Sequence, residues 1–152
     1  MKIMLDTNVL FSGLIYGGKV APVVVEYVNK HYDLYLPSYA IDELNEVVCE
    51  KKPHKADEIN DILAKLSYTL LQTPKKNPKQ YLDMRDPKDI PILRTAVIHK
   101  IDILITGDKD FDNIDKTIVQ KPRIMNMSAF ADEYMKGVRI YDTINPNPNM
   151  ER

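Results

Sequence analysis

The sequence predicts an α/β fold: a three-layer α/β/α sandwich whose central sheet is mainly parallel. Three observations lead there. Ile3-Met4-Leu5, Leu34-Tyr35-Leu36 and Ile103-Leu104-Ile105 are short, nearly unbroken apolar runs, the pattern of strands buried on both faces. Amphipathic stretches with helical spacing separate them. Strand and helix therefore alternate, and a strand that returns parallel to its predecessor needs a crossover of helix length.

Taken in order, Ile3–Leu5 is the first strand, and Pro22 opens a helical stretch with Val24, Val25 and Val28 turned inward. Leu34–Leu36 is the second strand, closed by Pro37. Ser38 is the expected N-cap of a helix with Ala40, Ile41, Leu44, Val47 and Val48 on one side. The stripe Ile59, Ile62, Leu63, Leu66 and Leu70 predicts a helix over 56–71, and two prolines and three lysines make 73–80 a loop. A further helix runs from about Pro87 to Lys100, followed by the strand Ile103–Ile105. Ile124 and Met125 form a short fourth strand, and Ser128 caps a last helix through Met135. No repeat or linker divides the chain, so one domain is expected over 1–141. Asn145-Pro146-Asn147-Pro148-Asn149 marks 142–152 as an irregular tail.

At 152 residues and 44% hydrophobic content the chain can build a full core. Cys49 is the sole cysteine, so no internal bridge can form and a reducing, cytoplasmic setting is expected. An acidic residue as early as Asp6 interrupts any secretory apolar segment. No apolar run approaches the ~20 residues of a membrane span. A net charge of −1 lacks the global basic signature of nucleic-acid binders, which leaves local clusters. These are Lys51, Lys52 and Lys55, and then Lys75, Lys76, Lys79, Arg85 and Lys88, each equally readable as solvated surface.

Acidic residues carry the chemistry. Asp6 ends the first strand and Asp108 follows the third, and ligands of open α/β sheets bind at the carboxyl ends of strands near a switch in strand order. Asp6 is also readable as a cap of the following turn. Asp89 shares a helix face with Leu93, Ala96 and Val97, so it points along the core side, while Asp86 before Pro87 suits an N-cap. Glu43 borders the apolar face of its helix and reads either as a site carboxylate or as a rim glutamate. Asp110 and Asp112 extend the acidic stretch. Four converging carboxylates would raise one another's pKa unless a hard divalent cation offset their charge. His31, His54 and His99 are scattered, which argues against a Cys/His zinc site, and His99 reads as an exposed surface residue.

Four segments in order resemble the PIN-domain family, and particularly its small bacterial toxin members of toxin–antitoxin pairs. They are Met4-Leu5-Asp6-Thr7-Asn8-Val9-Leu10, Ser38 to Glu43-Leu44, Asp86-Pro87-Lys88-Asp89 with Ala96, and Ile105-Thr106-Gly107-Asp108-Lys109-Asp110-Phe111. The likeness runs to about Met135; Pro91 and the Asn/Pro tail depart from it. It implies a ribonuclease in which Asp6, Glu43, Asp89 and Asp108 hold one or two Mg²⁺ or Mn²⁺ ions. Asp110 would be an outer ligand, and Asn8 and Thr106 would orient carboxylates or water. The implied partners are RNA, an antitoxin protein and a second copy of the chain.

Two other readings compete. In a phosphatase of the haloacid-dehalogenase type Asp6 would be a covalent nucleophile, assisted by Lys75 or Lys88. Asn8 stands where such enzymes usually carry a second aspartate, and Glu43 and Asp89 would have no task. A non-catalytic RNA-binding module would retain clustered carboxylates to no purpose.

Overall fold

β1 (Lys2–Leu5) is the central strand of a five-stranded sheet in the computed structural model of the chain. With β2 (Asp33–Pro37), β3 (Tyr68–Leu71), β4 (Ile103–Ile105) and β5 (Arg123–Met125), the order is β3-β2-β1-β4-β5 and every pairing is parallel. The structure describes residues 1–15, 19–73, 90–113 and 121–138, and only the backbone of Ile90, Asp110 and Asn113. The expected tail 142–152, its boundary at 141, and most of the 73–80 loop lie outside the described residues.

The chain leaves β1 on one side to build β2 and β3, and returns on the other to build β4 and β5. The seam between β1 and β4 is therefore the switch point at which such sheets open a crevice at their carboxyl ends. Met4 pairs with Leu104 and Leu5 with Ile105. The ladder continues one step further, where Asp6 N–H donates to the Ile105 carbonyl at 3.0 Å.

Both faces of the sheet are covered, which accounts for strands with almost no polar positions. On one side Ile3, Leu5, Leu34, Leu36, Ile103 and Ile105 join a core with α1 (Thr7–Leu14), α2 (Val20–His31), α3 (Ser38–Lys51), α4 (Ala56–Lys65) and α6 (Met127–Tyr134). On the other, Met4, Leu71 and Leu104 pack with Ile92, Leu93 and Ala96 of α5 (Ile90–Ile98) and with Phe111. Each fully buried side chain of this kind contributes roughly 1.5–3 kcal/mol. No helix among the described residues is long and apolar enough to cross a membrane.

Several local expectations need correction. The helix expected over 56–71 stops at Lys65: Leu66 turns to extended backbone, and Tyr68–Leu71 pairs with β2 as a fifth strand. Aromatic and β-branched residues at Tyr68 and Thr69 favour that pairing, and β2 offers an open edge. α1, an eight-residue helix, was not foreseen. α2 begins at Val20, ahead of Pro22. Ser38 does not cap α3; Pro37 occupies that position, and the Ser38 hydroxyl instead accepts from Thr73 N–H at 3.1 Å. The cap of α6 is Asn126, whose side chain accepts from Ala129 N–H at 2.7 Å, rather than Ser128. His99 is half-buried, not exposed.

Candidate active site

Asp6 stands where β1 becomes α1, and it both caps that helix and faces the crevice. Its Oδ1 accepts from Thr7 N–H at 2.6 Å. Its Oδ2 accepts from the Thr106 hydroxyl at 2.5 Å, across the seam and 100 residues away in sequence. Only 3% of Asp6 is exposed. Taking a carboxylate out of water disfavours its charged form, and this burial pushes the Asp6 carboxyl up from 3.8 to about 6. The bonds from Thr106 and Thr7 oppose the rise, whereas the charges of Asp108 and Glu43 add to it. The cap expected of Asp6 is therefore present, and the same carboxylate also reaches across the seam to Thr106.

Thr106 is the hinge of this arrangement. Its own N–H continues the β4–β5 ladder by donating to Met125 at 2.9 Å, which fixes the backbone. Its hydroxyl gives its proton to Asp6 and accepts from Asp108 N–H at 3.1 Å. One oxygen thus sets the register between the two aspartates. Gly107 N–H donates to Asn8 Oδ1 at 3.2 Å, a second clasp across the same seam. A Cβ at Gly107 would lie 3.6 Å from Asn8 Nδ2, ordinary contact, so close approach does not by itself demand glycine there.

Glu43 lies in the middle of α3, half-buried between Ala40, Leu44 and Val48, which seat the helix on the core. α3 packs against α1, and Glu43 is close enough for its charge to act on Asp6. The structure therefore places Asp108 and Glu43 within electrostatic reach of Asp6; Thr106 joins the two aspartates, and Asn8 holds the Gly107 turn before Asp108. Asp86 and Asp89 lie outside the described residues. Asp110 belongs to the 3-10 helix Lys109–Asn113, and its side chain is likewise outside them. Among the described residues no three acidic, histidine or cysteine side chains converge tightly enough to cage a metal by themselves.

Beyond Asp108 the crevice continues as a cleft of about 450 Å³ whose lining includes Lys109, Asp112, Arg123, Met125 and Glu133. Sequence patterning did not foresee this cleft, because its walls come together only when β5 pairs with β4. Nor did spacing show that Thr106 would bridge two aspartates, since that bridge depends on cross-strand register. Of the lysine clusters, Lys55 is used structurally: its Nζ donates to the Ile15 carbonyl at 3.1 Å, at the end of α1.

An open parallel sheet with buried and half-buried carboxylates at its switch point defines a class of α/β proteins built to hold charge at the strand ends. A PIN-domain family profile matches residues 2–110, and the chain belongs to the PIN-domain family. A solved structure, that of VapBC2 from Rickettsia felis bound to a DNA fragment from its promoter, contains a chain of similar fold. It superposes with a TM-score of 0.62 at 20% identity, covering 83% of this chain and 98% of that one. No curated protein matches the sequence. Family membership leaves the dehalogenase-type phosphatase reading without support.

Proposed function

We propose that the protein is a divalent-metal-dependent ribonuclease, acting as the toxin component of a toxin–antitoxin pair. The observation that carries this reading is the state of Asp6. It is buried and oriented by two neutral donors, with two further carboxylates raising its pKa. No cation is bonded to it among the described residues. Such a group gains a partner when a hard cation binds. The donor set fits Mg²⁺ or Mn²⁺, which take oxygen ligands, keep several waters and often use only one or two carboxylates. Asp6 and Asp108, with Glu43 and Asp89, would hold one or two ions. When bound, the metal would supply an activated water and polarise a phosphodiester.

The chain's own residues have definite tasks in this scheme. Thr106 holds the Asp6 carboxylate in one rotamer and Asp108 N–H in register, and Asn8 anchors the following turn through Gly107. Asp110 would be an outer ligand and Asp86 the cap of the helix bearing Asp89. The VapBC2 structure, a complex on promoter DNA, supports an antitoxin partner by likeness of fold. Self-association and a cytoplasmic location belong to the same reading. Incubation of single-stranded RNA with the protein in Mn²⁺ or Mg²⁺ tests it: cleavage that chelator stops and added metal restores is expected. Hydrolysis of small phosphate esters with RNA left intact would overturn it.

A further inference from the structure

The cleft that leaves Asp108 runs beside β5, the edge strand, and is closed on its other side by α6. Arg123, Ile124, Met125 and Asn126 form one wall, and Ala129 and Glu133 belong to the other. Its volume of about 450 Å³ falls in the ~300–1,000 Å³ range of small-ligand clefts. Since β5 rises about 3.3 Å per residue, Arg123 stands roughly 10 Å from the Asp108 end.

Arg123 is held rigidly for a half-exposed side chain. Its Nη1 donates to Glu133 Oε1 at 2.8 Å and to the Tyr134 hydroxyl at 3.0 Å, and its Nη2 donates to Glu133 Oε2 at 2.9 Å. A guanidinium has five N–H donors in a fixed plane. Three are used here. The two that remain, on Nε and Nη2, share one edge and have no acceptor among the described residues. Such an edge matches two adjacent acceptors, and guanine presents that pair in O6 and N7. Half-buried Ala129 supplies apolar surface from α6, over a floor closed by buried Met125. Exposed Lys109, next to Asp108, has no ion pair among the described residues and suits a neighbouring phosphate.

We propose that this cleft is a nucleobase subsite, and that the Arg123 edge, braced by Glu133 and Tyr134, selects guanine at a position flanking the cleaved bond. The proposal rests on the ribonuclease reading for its setting but not for its test. A peptide strand added to the β5 edge would not depend on a two-acceptor base, so the same test separates the two occupants.

Two measurements decide it. The first is cleavage of RNAs that carry guanine, adenine or 7-deazaguanine at each position around the cut. The second is anisotropy of labelled tetranucleotides with the same bases, bound to the Asp6→Asn protein so that no cleavage intervenes. Guanine is expected to be preferred by about 5–150-fold over adenine, with much of the preference lost for 7-deazaguanine, which lacks the N7 acceptor. Arg123→Lys keeps the charge but not the planar edge, so the ratio should collapse towards one. Glu133→Gln should reduce it less. Because Arg123 and Glu133 are on the surface, both variants should fold. Cleavage without base preference, or a preference that Arg123→Lys leaves intact, overturns the subsite while the nuclease stands. Absence of any RNA cleavage, with guanine-selective binding that Arg123→Lys removes, overturns the nuclease and keeps the subsite. Loss of both cleavage and selective binding overturns both.

Discussion

Two aspartates at opposite ends of the same pair of strands have opposite fates. Asp102 lies at the amino end of β4, where its Oδ1 pairs with Lys121 at 2.8 Å and its Oδ2 accepts from Lys2 N–H at 2.7 Å. The Lys121 bond, then that of Lys2, holds its carboxyl below the usual carboxylate range. Asp6, at the carboxyl end, is buried, bonded among the described residues only to neutral donors, and pushed up to about 6. The fold supplies a cation to the aspartate that ties strands together. Among the described residues it supplies none to the aspartate in the crevice. Local design that costs stability is the usual mark of a working site.

The comparison breaks first on activity. Asp6→Asn keeps the shape and removes the charge, so RNA cleavage should fall by more than the ~10–100-fold that loss of an outer partner costs. Asp108→Asn should follow it, and Asp102→Asn should cleave like the parent. Equal losses at both ends of the sheet would show that the contrast has no functional meaning. Thr106→Val, which keeps the side-chain shape without the hydroxyl, should reduce cleavage by about 10–100-fold. Thr106→Ser should restore most of it.

Stability gives the next contrast. The rise in the Asp6 pKa from 3.8 to about 6 corresponds to about 3 kcal/mol. Because the folded state binds this proton more tightly than the unfolded state does, the penalty is complete above about pH 6. It disappears as the pH falls through 6 to below 3.8. Asp6→Asn should therefore be more stable than the parent by about 1–3 kcal/mol at pH 8, measured in chelator by denaturant melts. The difference should shrink near pH 4. A variant less stable at pH 8 would mean that the charge is already compensated. Millimolar Mn²⁺ should raise the parent's melting temperature and hardly move that of Asp6→Asn.

The smallest effect is expected at the other end. Asp102 has the reverse sign: its contribution is present above the unfolded pKa and is lost as the pH falls through the lower, folded value. Its pair with Lys121 is substantially exposed, so Asp102→Asn should cost no more than about 1 kcal/mol, and less in high salt. A larger cost would place a structural keystone where the structure shows a surface tie.

What could be read in the sequence follows from how local each signal is. β1, β2 and β4 are apolar runs, and their burial on both faces leaves few alternatives. β3 was hidden because Leu66 and Leu70 prolong the helical spacing of Ile59, Ile62 and Leu63, and only the open edge of β2 recruits 68–71 into the sheet. α1 was hidden because its apolar residues follow too closely on β1 to show a separate period. Asp6, Glu43 and Asp108 could be named from their places at strand ends and on a helix border, with the family likeness adding to that. The Thr106 bridge could not, since it depends on β1 and β4 meeting in one register, nor could the Arg123–Glu133 clamp, which depends on how α6 folds back along β5.

That register also makes the site late. Asp6 is held by a hydroxyl 100 residues further along the chain, and β1 has no β4 beside it until that stretch exists. At the ~5–20 residues per second of synthesis, the crevice stays incomplete for about 5–20 s after Asp6 has been made. A ribosome carrying this chain thus holds an unassembled site for most of its translation, and a product truncated before β4 would lack both Thr106 and Asp108.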